Sequence, residues 1–121
     1  MSDRELLELA AKAAGVEINY STTNGGGFSN TGFDIVGNAV LDWHNGTVWN
    51  PLTDDGDALR LAVKLMMSVE ISAHEESTYA YAGDVPRVYA YEMWRDDKDA
   101  ATRRAIVRSA AEIGKMKGGK E

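Results

Sequence analysis

The sequence predicts an α+β fold: a small, mainly antiparallel sheet with helices packed on its faces. Apolar residues recur at helical spacing over 3–14, 54–67 and 97–116, whereas apolar and polar residues alternate in stretches between them. Glycine-rich breaks separate these stretches. With 121 residues in all, we expect a single domain over 1–117, followed by a frayed tail at 118–121.

Composition and charge exclude several classes of function. The formal net charge of −6 opposes nonspecific binding to nucleic acid or to an anionic membrane. The chain has no cysteine, which excludes disulfides, thiol nucleophiles and thiolate metal sites. The charged start, Met1 to Glu5, does not fit a signal peptide, and no apolar run approaches the ~20 residues that span a bilayer. We therefore expect a cytoplasmic protein without a membrane partner.

The first helix has signals at both ends. Ser2 and Glu5 have the spacing of a capping box, in which side chains and backbone N–H groups bond reciprocally. Gly15 stands where a helix commonly ends in the left-handed conformation. Apolar and polar residues then alternate, which predicts a short strand over 16–20 with one buried face.

A glycine-rich break follows at 21–32, and it includes Gly25, Gly26 and Gly27. Such a composition buries little and predicts a mobile loop. The backbone N–H groups of a glycine loop can also cradle a phosphate, but the lysine of the P-loop pattern is missing. We favour a plain loop and retain the three glycines as candidate binding residues.

Asn45-Gly46 predicts a β-hairpin with one arm on either side of it. Trp43 and Trp49 would then lie close together near the start of the central helix. They form either a hydrophobic lid over that helix terminus, which we favour, or an aromatic binding pocket that includes His44.

The helix at 54–67 is the expected centre of the fold. Asn50-Pro51 favours a turn before it, and Thr53 or an aspartate after it can cap the first turn. The polar residues of the helix fall in one narrow stripe: Asp57, Arg60 and Lys64. We therefore expect a helix that is buried on most sides and contributes most of the core, at roughly 1.5–3 kcal/mol per fully buried leucine or valine.

Alternating runs after this helix predict antiparallel strands with two different faces. One face carries the tyrosines, which are Tyr79, Tyr81, Tyr89 and Tyr91, and the other carries smaller residues. The small residues would let a helix approach the sheet closely. A tyrosine face can stack bases, but such platforms come with a basic groove, and this chain is acidic. We favour half-buried tyrosines with solvated hydroxyls.

The last helix, capped by Asp96 or Asp97, carries the densest positive patch of the chain. The patch consists of Arg103, Arg104 and Arg108. It either binds an anion or forms a solvated helix face, and we favour the solvated face.

No motif in the sequence specifies a reaction. Asp54-Asp55-Gly56-Asp57 lacks the spacing of a calcium loop, and His44 and His74 have no cysteine to complete a zinc site. The G-x-S-x-G pattern of hydrolases is absent. We lean against an enzyme and expect no metal and no cofactor; an enzyme that uses His44 or His74 is the remote alternative.

Two stretches carry a resemblance to phage proteins: Trp49-Asn50-Pro51-Leu52 with the apolar run 58–62, and the run 100–107 in the last helix. In these stretches the chain resembles the small tailed-phage proteins grouped as the phage ABA sandwich domain, and the NinX-like proteins. The resemblance covers about residues 1–20 and 47–117. It implies a helix–sheet–helix sandwich and a phage or prophage accessory gene, and it supplies no catalytic residues.

Two classes of function follow. The first is a non-enzymatic phage accessory protein of the host cytoplasm, which binds and inhibits a host component such as a defence protein. We expect this partner to contact the loop at 21–32 and the hairpin around Asn45-Gly46, where Trp43, His44 and Trp49 supply aromatic area. The alternative is a small-molecule binder that sequesters a nucleotide. It would use Trp43, Trp49, the tyrosine face and the patch of Arg103, Arg104 and Arg108 beside the glycine loop, and it needs a concave pocket with convergent polar groups. Direct nucleic-acid binding is disfavoured, and a homo-oligomer is compatible with the sequence.

Overall fold

Three helices and five strands form the part of the chain that the structure describes, which is residues 1–20, 32–82 and 89–118 of a computed structural model. In chain order the elements are α1 (Asp3–Ala14), β1 (Ala39–Asp42), β2 (Thr47–Trp49), α2 (Asp55–Lys64), β3 (Met67–Ser72), β4 (Ser77–Ala82), β5 (Tyr89–Met93) and α3 (Lys98–Gly118). Gly25, Gly26 and Gly27 of the predicted loop, and the tail at 119–121, lie outside the described residues. Gly118, which was expected to begin the tail, is the last residue of α3.

The strands form two antiparallel sheets. β1 and β2 make a two-stranded hairpin, whereas β3, β4 and β5 make a three-stranded sheet in that order. The predicted α+β class is confirmed, and the strands are divided between two sheets instead of joined in one.

The strand predicted over 16–20 is wrong, because that segment belongs to neither sheet. Asn19 N donates a hydrogen bond of 2.8 Å to the carbonyl O of Val40. The same edge of β1 also pairs with a second segment. Val40 N donates to Gly32 O at 2.8 Å, and Phe33 forms a β-bridge with Ala39. With the edge divided in this way, residues 16–20 do not form a ladder with β1.

Helix α3 is the element around which the core forms. It packs against α1, β4 and β5, and it also contacts α2 and β3. Because α1 and the three-stranded sheet pack mainly on α3 and not on each other, α3 is the middle layer. Its buried residues are Ala101, Ala105, Ile106, Val107, Ser109, Ala110, Ala111 and Gly114.

Helix α2 is less central than its sequence predicts. It ends at Lys64, because Leu65 leaves the helical conformation and Met66 adopts a left-handed φ of 54° before β3 begins. It buries only its alanines and one leucine: Ala58, Leu61 and Ala62. Leu59 and Val63 are exposed, so the prediction of a helix buried on most sides is wrong. An apolar circumference alone does not determine how many neighbours a helix acquires.

Helices α1 and α3 approach each other most closely at Gly114. A Cβ atom placed on Gly114 would lie 2.0 Å from the carbonyl O of Leu9, a separation that no side chain can occupy. Lys117 Nζ also donates to Ala13 O at 2.9 Å across this pair of helices. The alanines Ala80, Ala82 and Ala90 are buried on the side of the sheet that meets α3, as predicted for the small-residue face.

The predicted helix starts are confirmed. Ser2 Oγ accepts from Glu5 N at 3.1 Å while Ser2 N donates to Glu5 Oε1 at 2.9 Å, which completes the capping box of α1. Asp54 Oδ2 accepts from Asp57 N at 2.8 Å at the start of α2. Asp97 Oδ1 accepts from the Ala100 N–H at 2.9 Å at the start of α3.

Candidate functional site

The two hairpin tryptophans do not form a common pocket. Trp49 is only 7% exposed and belongs to the core, where it pairs with Ala39 across the hairpin. Trp43 follows the last paired residue of β1, so it lies at the turn end of the hairpin. The prediction that Trp43 and Trp49 lie close together is therefore wrong, because Trp43 is part of the turn at one end of the hairpin and Trp49 lies at the other end. Trp43 is half-buried, and its Nε1–H donates to the carbonyl O of Asn19 at 2.7 Å.

His44 is an exposed residue of the hairpin turn. Its backbone N–H donates to Asp42 Oδ1 at 2.9 Å, and the side chain of Asn45 donates to Asp42 Oδ2 at 2.7 Å. The backbone N–H of Asn45, with the N–H of His44 and the Asn45 side chain, lowers the pKa of Asp42. The local contacts of His44 and Asp42 therefore stabilise the turn.

Each arginine of the predicted positive patch is paired with a carboxylate. Arg103 Nη1 lies 2.6 Å from Asp55 Oδ1, and its Nε donates to Leu52 O at 2.8 Å. Arg104 Nη1 lies 3.1 Å from Asp3 Oδ1. Arg108 Nη1 lies 2.5 Å from Glu92 Oε2, and it also donates to the carbonyl O of Tyr91 at 3.2 Å. These contacts connect α3 to other elements, and the distant partners were not apparent from the sequence.

The candidate residues are therefore distributed over separate parts of the molecule. Trp43 and His44 lie on the hairpin turn, Trp49 lies in the core, and Arg103 and Arg104 lie on α3. The described residues do not bring this set together in one pocket.

A different surface collects the aromatic residues, and we call it the tyrosine face. It is the side of the three-stranded sheet opposite the buried alanines. Tyr79 is the cross-strand partner of Tyr91, and Tyr81 is the partner of Tyr89. The same side carries Met93 on β5 and Ser68 and Glu70 on β3. Tyr79, Tyr89, Tyr91 and Met93 are exposed, and no described helix covers them.

The rings on the tyrosine face are in mutual contact. The ring centroids of Tyr79 and Tyr91 are 4.9 Å apart, and those of Tyr79 and Tyr89 are 6.1 Å apart, within the range of favourable aromatic pairs. Tyr81 Oη donates to Glu70 Oε2 at 2.8 Å. Glu70 is the one charged side chain that the described strand residues place on this face. The sequence pattern predicted the shared face correctly but did not predict how much of it is exposed.

A groove of about 620 Å³ lies between α2, β3 and α3, and we call it the α2–β3 groove. Most of its lining is apolar, including Leu59, Ala62, Val69, Ile71, Trp94 and Ile106. The Arg103–Asp55 ion pair lies at the groove, and Lys98 Nζ lies 5.7 Å from the ring centroid of Trp94. This groove was not predicted, because its walls come from elements that are distant in the sequence.

The described part of the chain contains no cluster of acidic or histidine side chains arranged as a metal site. Within residues 1–20, 32–82 and 89–118, no group of three or more histidine, aspartate or glutamate side chains has the arrangement of a metal site. Tyr20 Oη donates to Glu8 Oε2 at 3.0 Å, and burial together with this bond raises the pKa of Tyr20 to about 12. A phenol in this state is a hydrogen-bond donor at neutral pH, not a base.

The fold and its surfaces define a small α+β protein with one helix-covered face and one free aromatic face on its larger sheet. Comparisons with protein-family models, with curated proteins and with solved structures find no match for this chain. The resemblance to phage proteins therefore stays a prediction. Among the described residues, no helix is long and apolar enough to cross a lipid bilayer.

Proposed function

We propose that this chain is a phage accessory protein that binds a host protein through its tyrosine face and does not act as a catalyst. The observation that supports this binding surface is its composition: four tyrosines and Met93 with one charged residue, Glu70, on an uncovered sheet. Tyrosine and methionine are enriched at the centres of protein interfaces, and acidic and lysine side chains are depleted there.

The tyrosine face is also well ordered for binding. Its side chains stand on a continuous antiparallel ladder, and the ring contacts of Tyr79 with Tyr89 and Tyr91 restrict their motion. The hydrogen bond from Tyr81 to Glu70 fixes a fourth ring. A rigid aromatic surface loses little conformational entropy on association, which favours affinity.

A protein suits this face better than a nucleic acid does. Single-stranded nucleic acid needs cationic side chains for its phosphates in addition to rings for its bases. The described strand residues place no lysine or arginine on the tyrosine face, and the net charge of the chain is −6. A partner that contributes apolar and hydrogen-bonding groups would complement it.

The nature of the partner follows from the resemblance to phage accessory proteins. A small protein made during infection meets host components in excess, and inhibition of a defence protein is a function that binding alone can perform. The tryptophans and arginines of the small-ligand alternative lie on different elements of the described chain, the hairpin and α3, and its glycine loop lies outside the described residues. The α2–β3 groove has a volume suited to ligands, but its lining does not include Trp43, Trp49 or Arg104.

The test is recovery of the tagged full chain from infected host cells, followed by native mass spectrometry of what is bound. We expect a stable complex with one host protein, and we expect the double variant Tyr79→Ser, Tyr91→Ser to lose it. The matched control is Tyr20→Ser, which removes a partly exposed tyrosine away from this face. Recovery of the wild-type chain without a host protein, or equal capture by the double variant, would contradict the proposal.

A further inference from the structure

The two edges of the three-stranded sheet differ in their protection. On β5, Arg108 Nη1 donates to the carbonyl O of Tyr91 at 3.2 Å. On β3, the backbone makes hydrogen bonds to β4 and to no other described residue. Edge strands are usually protected by charged side chains, proline or a bulge. Over the six consecutive residues that pair with β4, β3 has no proline and no bulge, and Glu70 is its one charged residue. The β3 edge therefore presents unpaired backbone donors and acceptors.

Apolar side chains lie beside this open edge. Ile71 on β3 is 60% exposed, and Leu59 and Val63 on α2 are 64% and 68% exposed. Leu59 and Ile71 line the same α2–β3 groove, and Met66 in the link between the two elements is also exposed. An exposed apolar patch beside a free strand edge is typical of an association surface.

We propose that a second copy of this chain occupies this surface, with β3 pairing antiparallel to β3 of the partner about a two-fold axis. In such an arrangement the same patch meets itself, so one surface supplies both sides of the contact. The backbone groups of each edge pair with those of the other. The exposed residues Leu59, Val63 and Ile71 of the two copies then cover one another and close the α2–β3 groove.

The side-chain alternation of β3 restricts the register of this pairing. The alanine-side residues of both copies must share one face of the joined sheet, because a shift by one residue would turn the apolar side chains of one copy to the opposite face. Placing Glu70 opposite Glu70 would set two like charges against each other. Two registers that avoid both problems have Val69 opposite Val69, or Ile71 opposite Ile71.

The charges at the ends of β3 favour the antiparallel pairing. Lys64 precedes the strand, and Glu75 and Glu76 follow it in the turn to β4. All three are exposed, and none of them forms an ion pair with another described residue. Antiparallel pairing places the lysine end of each strand beside the glutamate end of the other, so that the attraction occurs twice. Parallel pairing would place like ends together.

The dimer would have a single six-stranded sheet with both tyrosine faces on the same side. This inference does not depend on the proposed function, because the tyrosine face and the β3 edge are different surfaces. A monomeric protein could still capture a host protein, and a dimer could fail to do so.

The first test is the mass of the purified full chain by sedimentation equilibrium, from about 1 to about 100 µM. We expect twice the 13.2 kDa of one chain, and we expect Ile71→Lys to give a monomer at the same concentrations. The matched control is Ile35→Lys, the same substitution at an isoleucine that is 97% exposed elsewhere, which should remain dimeric. A monomeric wild-type chain would overturn the proposal. The β3 edge would then be available for pairing with a strand of another protein.

The second test addresses the orientation of the strands. Lys64→Glu alone should raise the dissociation constant of the dimer by about tenfold, since two weak attractions become repulsions. Adding Glu75→Lys and Glu76→Lys to that variant should restore the original constant. A dimer that is insensitive to Ile71→Lys, or a charge exchange that gives no recovery, would overturn this arrangement.

Discussion

Thr78 and Thr102 share a hydrogen bond of 2.9 Å between their Oγ1 atoms, which joins the central strand of the larger sheet to α3. The same oxygen of Thr78 lies 3.0 Å from Nε1 of Trp94, which donates to it. Thr78 is fully buried, so its hydroxyl is a shared partner for two groups in a site that water does not reach. Strand β4, helix α3 and the residue after β5 are therefore joined through one oxygen atom.

Replacing Thr78 with valine should destabilise the protein by about 1–3 kcal/mol, because the shape is kept while Trp94 and Thr102 lose their buried partner. The free energy of unfolding from urea titration measures the effect. Thr78→Ser keeps the hydroxyl and is the control for the hydrogen bonds. If valine and serine at this position were equally stable, the shared oxygen would have no role in stability.

Replacing Gly114 with alanine should separate α1 from α3. The added Cβ would lie 2.0 Å from Leu9 O, which is a backbone atom and cannot rotate away. We expect a loss of about 3 kcal/mol or more, at the upper end of overpacking effects. Thermal and urea unfolding of the variant measure it.

Gly56→Ala is the matched control for this prediction. Its added Cβ meets the end of the exposed Arg60 side chain at 3.1 Å, and that side chain can move. Since alanine is favoured over glycine within a helix, stability should stay within about 1 kcal/mol of the wild type. Equal losses at Gly56 and Gly114 would show that the close approach of α1 and α3 is not the cause.

The two hairpin tryptophans should differ in their contribution to stability. Trp49→Ala should cost roughly 3–5 kcal/mol, because it empties a buried site in the core. Trp43→Ala should cost only about 1–2 kcal/mol, since the side chain is half-buried and its main specific contact is the bond to Asn19 O. Urea unfolding of both variants under one condition decides the order, and a Trp43 variant as unstable as the Trp49 variant would contradict it.

Asp42 should make the hairpin turn sensitive to acid. The pKa of its carboxyl is lowered from the ordinary 3.8, so the unfolded chain takes up the proton first as the pH falls. The stabilisation is therefore present above pH 3.8 and is lost as the pH falls through the folded-state pKa. The difference in melting temperature between the wild type and Asp42→Ala should shrink in acid. Asp96→Ala is the control. A difference in melting temperature between the wild type and Asp42→Ala that stays constant with pH would contradict the assignment.

Features encoded within a few residues were predicted well from the sequence. The capping box of Ser2 and Glu5, the hairpin at Asn45-Gly46 and the alternation of Tyr79 with Ala80 each depend on neighbours along the chain. The relative contribution of each helix to the core was not predicted. The leucines and valine of α2 carry a strong apolar signal, yet α3 forms the core with alanines, whose small area gives a weak one.

Long-range pairing explains the remaining differences. Arg104 and Asp3 are separated by 101 positions, and Arg103 and Asp55 by 48. The sequence shows an arginine cluster, but the carboxylates that neutralise it are brought close only by the tertiary fold. The strand prediction for residues 16–20 is wrong for a related reason. The alternation in this segment is typical of a strand, but the segment shares the edge of β1 with Gly32 and Phe33.

The contact between α1 and α3 also has a consequence for synthesis on the ribosome. Helix α1 emerges long before α3, so its buried residues Leu6, Leu7 and Ala10 lack their main packing partner while the intervening strands are being made. The bond from Lys117 to Ala13 spans 104 positions and can form only after α3 has been made. Until α3 is made, the nascent chain therefore carries a largely uncovered amphipathic helix, which is the type of segment that chaperones protect from aggregation. Folding should be concerted and should begin only once α3 has left the exit tunnel.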